Sequence, residues 1–311
     1  KLLFDYFKDK KNFYCIDIGF KKFIKKNQGR MNFLNVLHGV CYIIKISFYL
    51  IYIRPLIVYI SIAKAFPAFF KTSFIVIISK LIKAKVIGDL PGHTFYFLDS
   101  KGLNRWFGLF ILKKIDLIRI LGNETKQILN HFGLNKTRLM YNGVKVDTIP
   151  DVKRFNTLDI KIKFLYVGSL SQAKGVNYLI EGFNLLLEKY RNIELHLIGQ
   201  WGENHFKNKV LNTFIGHDNK FHFHGLQIGP HKWEIFNYCH IYLHFSQMEG
   251  QSISILEALA MGMPVVATDA GATSLLVEDG CNGFIIGKKN IKQFVLRVST
   301  LLNDHELIRG M

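Results

Sequence analysis

The chain has 311 residues, 49% of them hydrophobic, enough for two domains with real cores. Its four cysteines, Cys15, Cys41, Cys239 and Cys281, form no Cys-x-x-Cys pair, which argues against a zinc finger or disulfide framework and sets the chain in a reducing cytoplasm. The net charge of +18 lies almost wholly in residues 1–150, which carry 25 Lys and Arg against 8 Asp and Glu, while the remainder is nearly balanced. Such asymmetry suits either a solvated lysine-rich face or an anionic partner of the first half, and the pattern resembles no nucleic-acid module. A membrane surface or a phosphate-bearing acceptor is the better anionic partner.

Residues 31–82 are strongly apolar, but Lys45, Arg54, Lys64, Lys71 and Lys80 interrupt them, and no charge-free run reaches the length of a membrane span. Buried strands are expected at 56–63 and 85–87, with an amphipathic helix around 70–82. That helix either lies on a bilayer or packs on the core with its basic side in solvent, and the pattern is equal for both. A crossover between domains is expected at 140–150, where Asn142, Gly143 and Pro150 fall, giving domains at 1–145 and 146–311. The chain starts at Lys1 and stops at Met311 inside a helical pattern, so it reads as a piece of a longer one.

From residue 160 onward the alternation is clean. Strands are expected at 164–167, 193–198, 221–224, 241–243, 265–268 and 284–286. Helices are expected between and after them at 176–190, 204–214, 231–238, 252–261 and 291–302. That cadence means βαβ units, a parallel sheet covered on both faces, and ligands bound at the carboxyl ends of the strands.

Two loops carry the chemistry. The first, 167–175, follows a strand and precedes a helix. Gly168 permits close backbone approach to a ligand, and Lys174 offers a positive charge beside a helix start, a combination suited to a diphosphate. It is neither a Walker loop nor a GxGxxG turn. The second loop closes with Glu249 and Gly250, and a helix begins near Ser252. The amides of Gln251, Ser252 and Ile253 are then free for phosphate oxygens. Glu249 points from the loop and Glu257 from the helix more than a turn later, so they reach different ends of an extended ligand. His217, His222, His224, His231 and His240 form a histidine-rich run, but no carboxylate or cysteine joins them at ligand spacing, and no metal site is expected.

The stretch Glu249–Glu257 resembles the E-x7-E motif of the retaining GT-B glycosyltransferases of family 4. The likeness continues through Ala258–Thr268, Gly271 and Glu278–Gly283. Residues 167–175 resemble that family's phosphate loop, and Tyr141–Val144 its Asn-Gly-Val crossover. The resemblance implies two Rossmann-like α/β domains facing across a cleft. It implies retaining transfer of a hexose from a UDP- or GDP-sugar to a cell-surface polysaccharide or lipid-linked glycan, without a metal or other cofactor. Glu249 would serve the donor sugar, Glu257 the ribose, and Lys174 with the amides after Gly250 the diphosphate. Attachment to the inner face of a membrane goes with the basic first half.

Three features depart from the family pattern. Ser169 stands where an arginine is usual, and Gly271-Ala272 replaces a double glycine, with Ser274-Leu275 where a glutamate often follows. Pro91 replaces the usual acceptor-side histidine, leaving Asp89 or His93 as a substitute base or positioning group. Two other readings share the same residues: a non-catalytic nucleotide-sugar-binding protein, and a GT-B phosphorylase or epimerase.

Overall fold

Short β-branched runs separated by amphipathic segments fold into parallel sheets flanked by helices, because each strand must bury both faces. The computed structural model describes residues 12–14, 33–63, 66–90, 92, 98, 102–152, 161–214 and 218–311. It divides into two compact units, Lys1–Tyr141 and Asn142–Met311. Residues 142–145, which the sequence pattern assigns to the first domain, belong to the second unit.

The first unit runs α1 (Phe33–Ile53), β1 (Ile57–Ser61), α2 (Phe66–Leu81), β2 (Lys85–Asp89), α3 (Leu103–Lys114), β3 (Leu117–Ile120), α4 (Asn123–His131) and β4 (Thr137–Leu139). Its four strands pair in parallel in the order β1-β2-β3-β4. Ile60, Val86, Ile118 and Ile120 of the sheet pack with Phe69 and Val76 of α2 and Ile111 of α3. The apolar segment before β1 forms α1. It buries Ile46 and Leu50 but leaves Ile44, Phe48 and Tyr52 exposed. Among the described residues, no helix is long and apolar enough to cross a membrane.

The second unit runs β5 (Ile162–Val167), α5 (Val176–Lys189), β6 (Ile193–Ile198), α6 (Asn204–Leu211), β7 (Phe221–Phe223) and α7 (Pro230–Tyr238). It continues with β8 (Ile241–His244), α8 (Ile253–Ala260), β9 (Val265–Thr268), β10 (Gly283–Ile286), α9 (Ile291–Asn303) and α10 (His305–Gly310). All strands are parallel, in the order β10-β9-β8-β5-β6-β7. One face packs Phe164, Tyr166, Leu195 and Leu243 against Phe183 of α5 and Phe294 of α9. The other packs Leu165, Ile198 and Tyr242 against Phe236 of α7 and Ile255 of α8.

That strand order decides where a ligand binds. The chain builds outward from β5 to β6 and β7, then returns to place β8 on β5's other side. The order therefore reverses between β5 and β8, and helices leave their carboxyl ends toward opposite faces, opening a crevice there. Val167-Gly168 and His244 sit at those two ends. One expectation changes in this sheet. The sequence spacing finds no carboxylate for His222 and His224, but the β6–β7 register pairs His196 with His222 and brings Glu194 beside them.

Candidate donor site

The loop after β5 passes through a single turn, Gln172–Lys174, before α5. Gly175 joins turn to helix at φ 65, and a Cβ there would fall 2.0 Å from the carbonyl oxygen of Phe245. Only glycine accepts both that backbone angle and that approach. The loop after β8 consequently lies directly on the first, and Gln247 donates its amide to Ala173 O at 3.2 Å. From the other side, Thr268 Oγ1 donates to Ser246 O at 2.6 Å. Gly271, at φ 65, packs so that a Cβ would sit 2.1 Å from Glu249 O. The backbone carrying Glu249 is thus fixed from both flanks.

Glu249 comes to rest with Oε2 2.5 Å from Lys174 Nζ and 3.4 Å from His244 Nε2. Burial alone would raise its pKa, but His244 and Lys174 outweigh burial and hold the carboxyl down at about 2. Glu249 is therefore ionised at neutral pH. Glu257, projecting from α8, pairs with Lys232 of α7 at 2.6 Å. Lys232 in turn lies over the Trp233 ring, 4.2 Å from its centroid.

Between the two carboxylates lies the start of α8. Ser252 caps it, its Oγ accepting from the Ile255 amide at 3.4 Å, so the helix proper begins at Ile253. The amides of Ile253 and Ser254, first in the helix, have no acceptor four residues back. Gln251 is buried: its Oε1 accepts from the Asn142 amide at 2.5 Å, and its carbonyl accepts from Asn142 Nδ2 at 3.3 Å. Tyr242 Oη spans β5 and α8, donating toward Val167 O at 3.2 Å and lying 2.7 Å from Ser254 Oγ. Burial pushes the Tyr242 hydroxyl above its ordinary range, so it stays protonated and a donor.

These groups line one cavity of about 360 Å³, bounded by Gly168, Lys174, Glu249, Gln251–Ser254 and Glu257, with His244, Tyr166 and Val167. The structure therefore gathers Gly168, Lys174, Gln251, Ser252, Ile253 and both glutamates in one place. Gly250 adjoins it, accepting from the Ala272 amide at 2.8 Å. Ser169 is exposed and faces Ser171. In the first unit, Asp89 ends β2 and is paired with Arg119 at 2.7 Å, both largely buried, so its carboxylate is committed to an ion pair. His93 lies outside the described residues.

The sequence pattern missed His244 and Lys232. His244 had a signal, since it closes β8 at the carboxyl edge beside the Ser246–Glu249 loop. Lys232 had none: its pairing arises from α7 packing beside α8.

The model of the family described as glycosyl transferases group 1 matches residues 149–311, the stretch that builds this cavity. The chain belongs to that family. Among the relatives of this group 1 chain, an uncharacterized glycosyltransferase of Haemophilus influenzae is 31% identical over 184 residues, covering 54% of this chain and 49% of that protein. The poly(ribitol-phosphate) alpha-N-acetylglucosaminyltransferase of Staphylococcus aureus is 29% identical over 187 residues, covering 58% of this chain and 35% of its own. The chain spans about half the length of the curated relatives it matches. Among solved structures, Anabaena HepE in complex with UDP superposes with a TM-score of 0.73 at 18% identity, covering 86% of this chain and 74% of that one. The same protein is also solved with UDP-glucose. The likeness shows the fold: this is the GT-B fold, with two Rossmann-like domains.

Proposed function

We propose that this chain is a retaining hexosyltransferase of family 4 that uses a UDP- or GDP-sugar and acts on a cell-surface polysaccharide or lipid-linked glycan. The observation that carries the reading is the placing of Glu249 and Glu257 at separate positions around one cavity, each held by a lysine, with helix-start amides between. A nucleotide sugar has the matching sequence of groups: hexose, diphosphate, ribose. The complexes of HepE with UDP and UDP-glucose and the activity named for the S. aureus relative support the same assignment.

In this mechanism Lys174 and the amides of Gln251, Ser252 and Ile253 take the diphosphate oxygens, doing what a divalent ion does elsewhere. Gly168 lets the loop backbone approach them, and Glu257 accepts hydrogen bonds from the ribose hydroxyls. Glu249, already ionised, binds hexose hydroxyls and stabilises positive charge developing at the anomeric carbon. The bond from that carbon to the diphosphate breaks, and the acceptor oxygen bonds to the same face. The acceptor's proton passes to a leaving phosphate oxygen, so charge and configuration are both conserved.

Association with an anionic inner membrane face completes the proposal. It rests on the basic first half and on Ile44, Phe48 and Tyr52 left exposed on α1. Sedimentation with anionic liposomes at low salt, lost at high salt, is the expected behaviour.

A thermal-shift series against UDP- and GDP-sugars tests the donor site, since a ligand of the native state raises its apparent stability. Incubation with labelled donor, with and without glycan acceptors, then separates transfer from phosphorolysis or epimerisation. The exposed Ser169, standing where a cation is usual, favours the rival of a binding protein without turnover. A donor that stabilises the chain but is never consumed would establish that rival.

A further inference from the structure

A second cluster of ligating side chains lies away from the donor cavity and shares no residue with it. Glu194 and His196 stand two apart on β6, on the face opposite Leu195, and His222 is the register partner of His196 on the edge strand β7. Their ligand atoms all lie within 4.8 Å of one another. His196 Nε2 is 3.9 Å from Glu194 Oε2, and His222 Nε2 is 3.7 Å from Glu194 Oε1.

Those separations are too long for hydrogen bonds. Both Nε2 atoms are buried, and among the described residues neither makes a hydrogen bond. A buried imidazole nitrogen without a partner costs stability unless something else binds it. Ligands about 2.0–2.1 Å from a tetrahedral zinc ion stand roughly 3.3 Å apart, so side-chain rotation that draws these atoms inward from within 4.8 Å of one another makes a coordination set.

The surroundings hold that set in place. His196 Nδ1 is 3.0 Å from His224 Nε2, fixing the ring and leaving Nε2 toward the carboxylate. The His196 and His222 rings stack at 4.5 Å between centroids, and Tyr238 closes edge-on against His196 at 5.3 Å. Lys161 donates to Glu194 Oε1, the oxygen beside His222, at 2.6 Å, while Oε2 faces His196, so the carboxylate is oriented toward both rings.

We propose that Glu194, His196 and His222 form a binding site for a divalent transition-metal ion of the zinc type, clipping edge strand β7 to β6. Two imidazoles and one carboxylate suit zinc and its neighbours and disfavour calcium and magnesium, which take oxygen sets. A three-residue edge strand has little pairing of its own, and a cross-strand ion compensates for it.

The test uses the purified chain stripped with chelator, then titrated with Zn²⁺ alone and, separately, Co²⁺. One equivalent is expected to bind, to raise the melting temperature, and to give the visible Co²⁺ absorption of a four- or five-coordinate nitrogen and oxygen site. His222→Ala and Glu194→Gln are expected to weaken Zn²⁺ binding at least about tenfold and to abolish the thermal shift. His222 is partly exposed, so that variant keeps its fold, as circular dichroism checks. His196→Ala adds the buried ligand where it folds. Absence of stoichiometric binding would overturn the site. So would unchanged affinity in both His222→Ala and Glu194→Gln, or a thiolate-to-cobalt charge-transfer band, which would move the ion to a cysteine such as the exposed Cys41 or Cys281.

Discussion

Lys174 and Glu249, 75 positions apart in the chain, meet at 2.5 Å between Nζ and Oε2. The contact joins the loop after β5 to the loop after β8 at the point where the strand order reverses. It presets both groups: His244 and the lysine keep the carboxylate ionised, and the carboxylate keeps the ammonium at the cavity wall, where a diphosphate would arrive. Donor binding would then redistribute a charge pair already in place.

Replacing Glu249 with alanine removes the group assigned to the anomeric carbon. The expected result is a fall in kcat of about hundredfold or more, the scale associated with a positioned group acting in the transition state. Lys174→Met should also lower kcat, because leaving-group charge is greatest in the transition state. Steady-state kinetics with a labelled donor measures both. A wild-type rate in Glu249→Ala would remove Glu249 from the mechanism.

The same pair sets a pH dependence of stability. The Glu249 pKa falls from the ordinary 4.5 to about 2 in the fold. The ionised carboxylate therefore stabilises the native state in full above about pH 4.5, and the contribution fades as pH drops toward 2. At about 1.4 kcal/mol per unit the shift corresponds to about 3 kcal/mol. Urea unfolding of the wild type and of Glu249→Gln should show a stability difference that is constant near neutrality and shrinks through that window. A difference that grows on acidification would reverse the assigned sign.

Much of the second unit was legible because its strands are short runs rich in β-branched and aromatic residues, set at regular intervals between helical segments. The segments 193–198 and 265–268 appear in the structure with the bounds their sequence implies. Gly168, Lys174, Gln251 and the two glutamates could be placed because strand, loop and helix start are adjacent in sequence. What stayed hidden depends on contacts between distant segments. Lys232 meets Glu257 only because α7 packs beside α8, and Glu194 meets His222 only through the β6–β7 register. In the first unit, β4 has three residues, Thr137–Leu139, too few for a period to register. There α1 mixes buried Ile46 and Leu50 with exposed Ile44 and Phe48, so hydropathy does not separate its faces.

The loop geometry makes a sharper stability prediction. Gly175 and Gly225 both lie at φ 65, but a Cβ meets Phe245 O at 2.0 Å in the first case and nothing within 4 Å in the second. Gly225→Ala should carry only the left-handed backbone cost, on the order of 1 kcal/mol. Gly175→Ala adds the displacement of a loop from the end of β8 and should cost about 2 kcal/mol or more. Equal urea midpoints for the two variants would show that the close approach of the two loops does not contribute to stability. Donor affinity supplies an independent readout, since Gly175→Ala should weaken it and Gly225→Ala should not.

Lys232 gives the test that separates the two ends of the donor. It touches Glu257 at 2.6 Å and the Trp233 face, and it lies outside the cavity wall formed around Glu249. Methionine in its place keeps the apolar stem on Trp233 but leaves the Glu257 carboxylate without its cation. Glu257 is then free to turn away from the cavity toward water, and its hold on the ribose loosens. Because the ribose changes little between ground and transition states, the loss is expected in both equally. KM for the donor should rise about tenfold while kcat stays within about twofold. The same substitution should leave binding of a free sugar phosphate unaltered, because that ligand has no ribose. A drop in kcat as large as that of Glu249→Ala would instead place Lys232 at the reacting centre, and would require the ribose and sugar ends of the site to be exchanged.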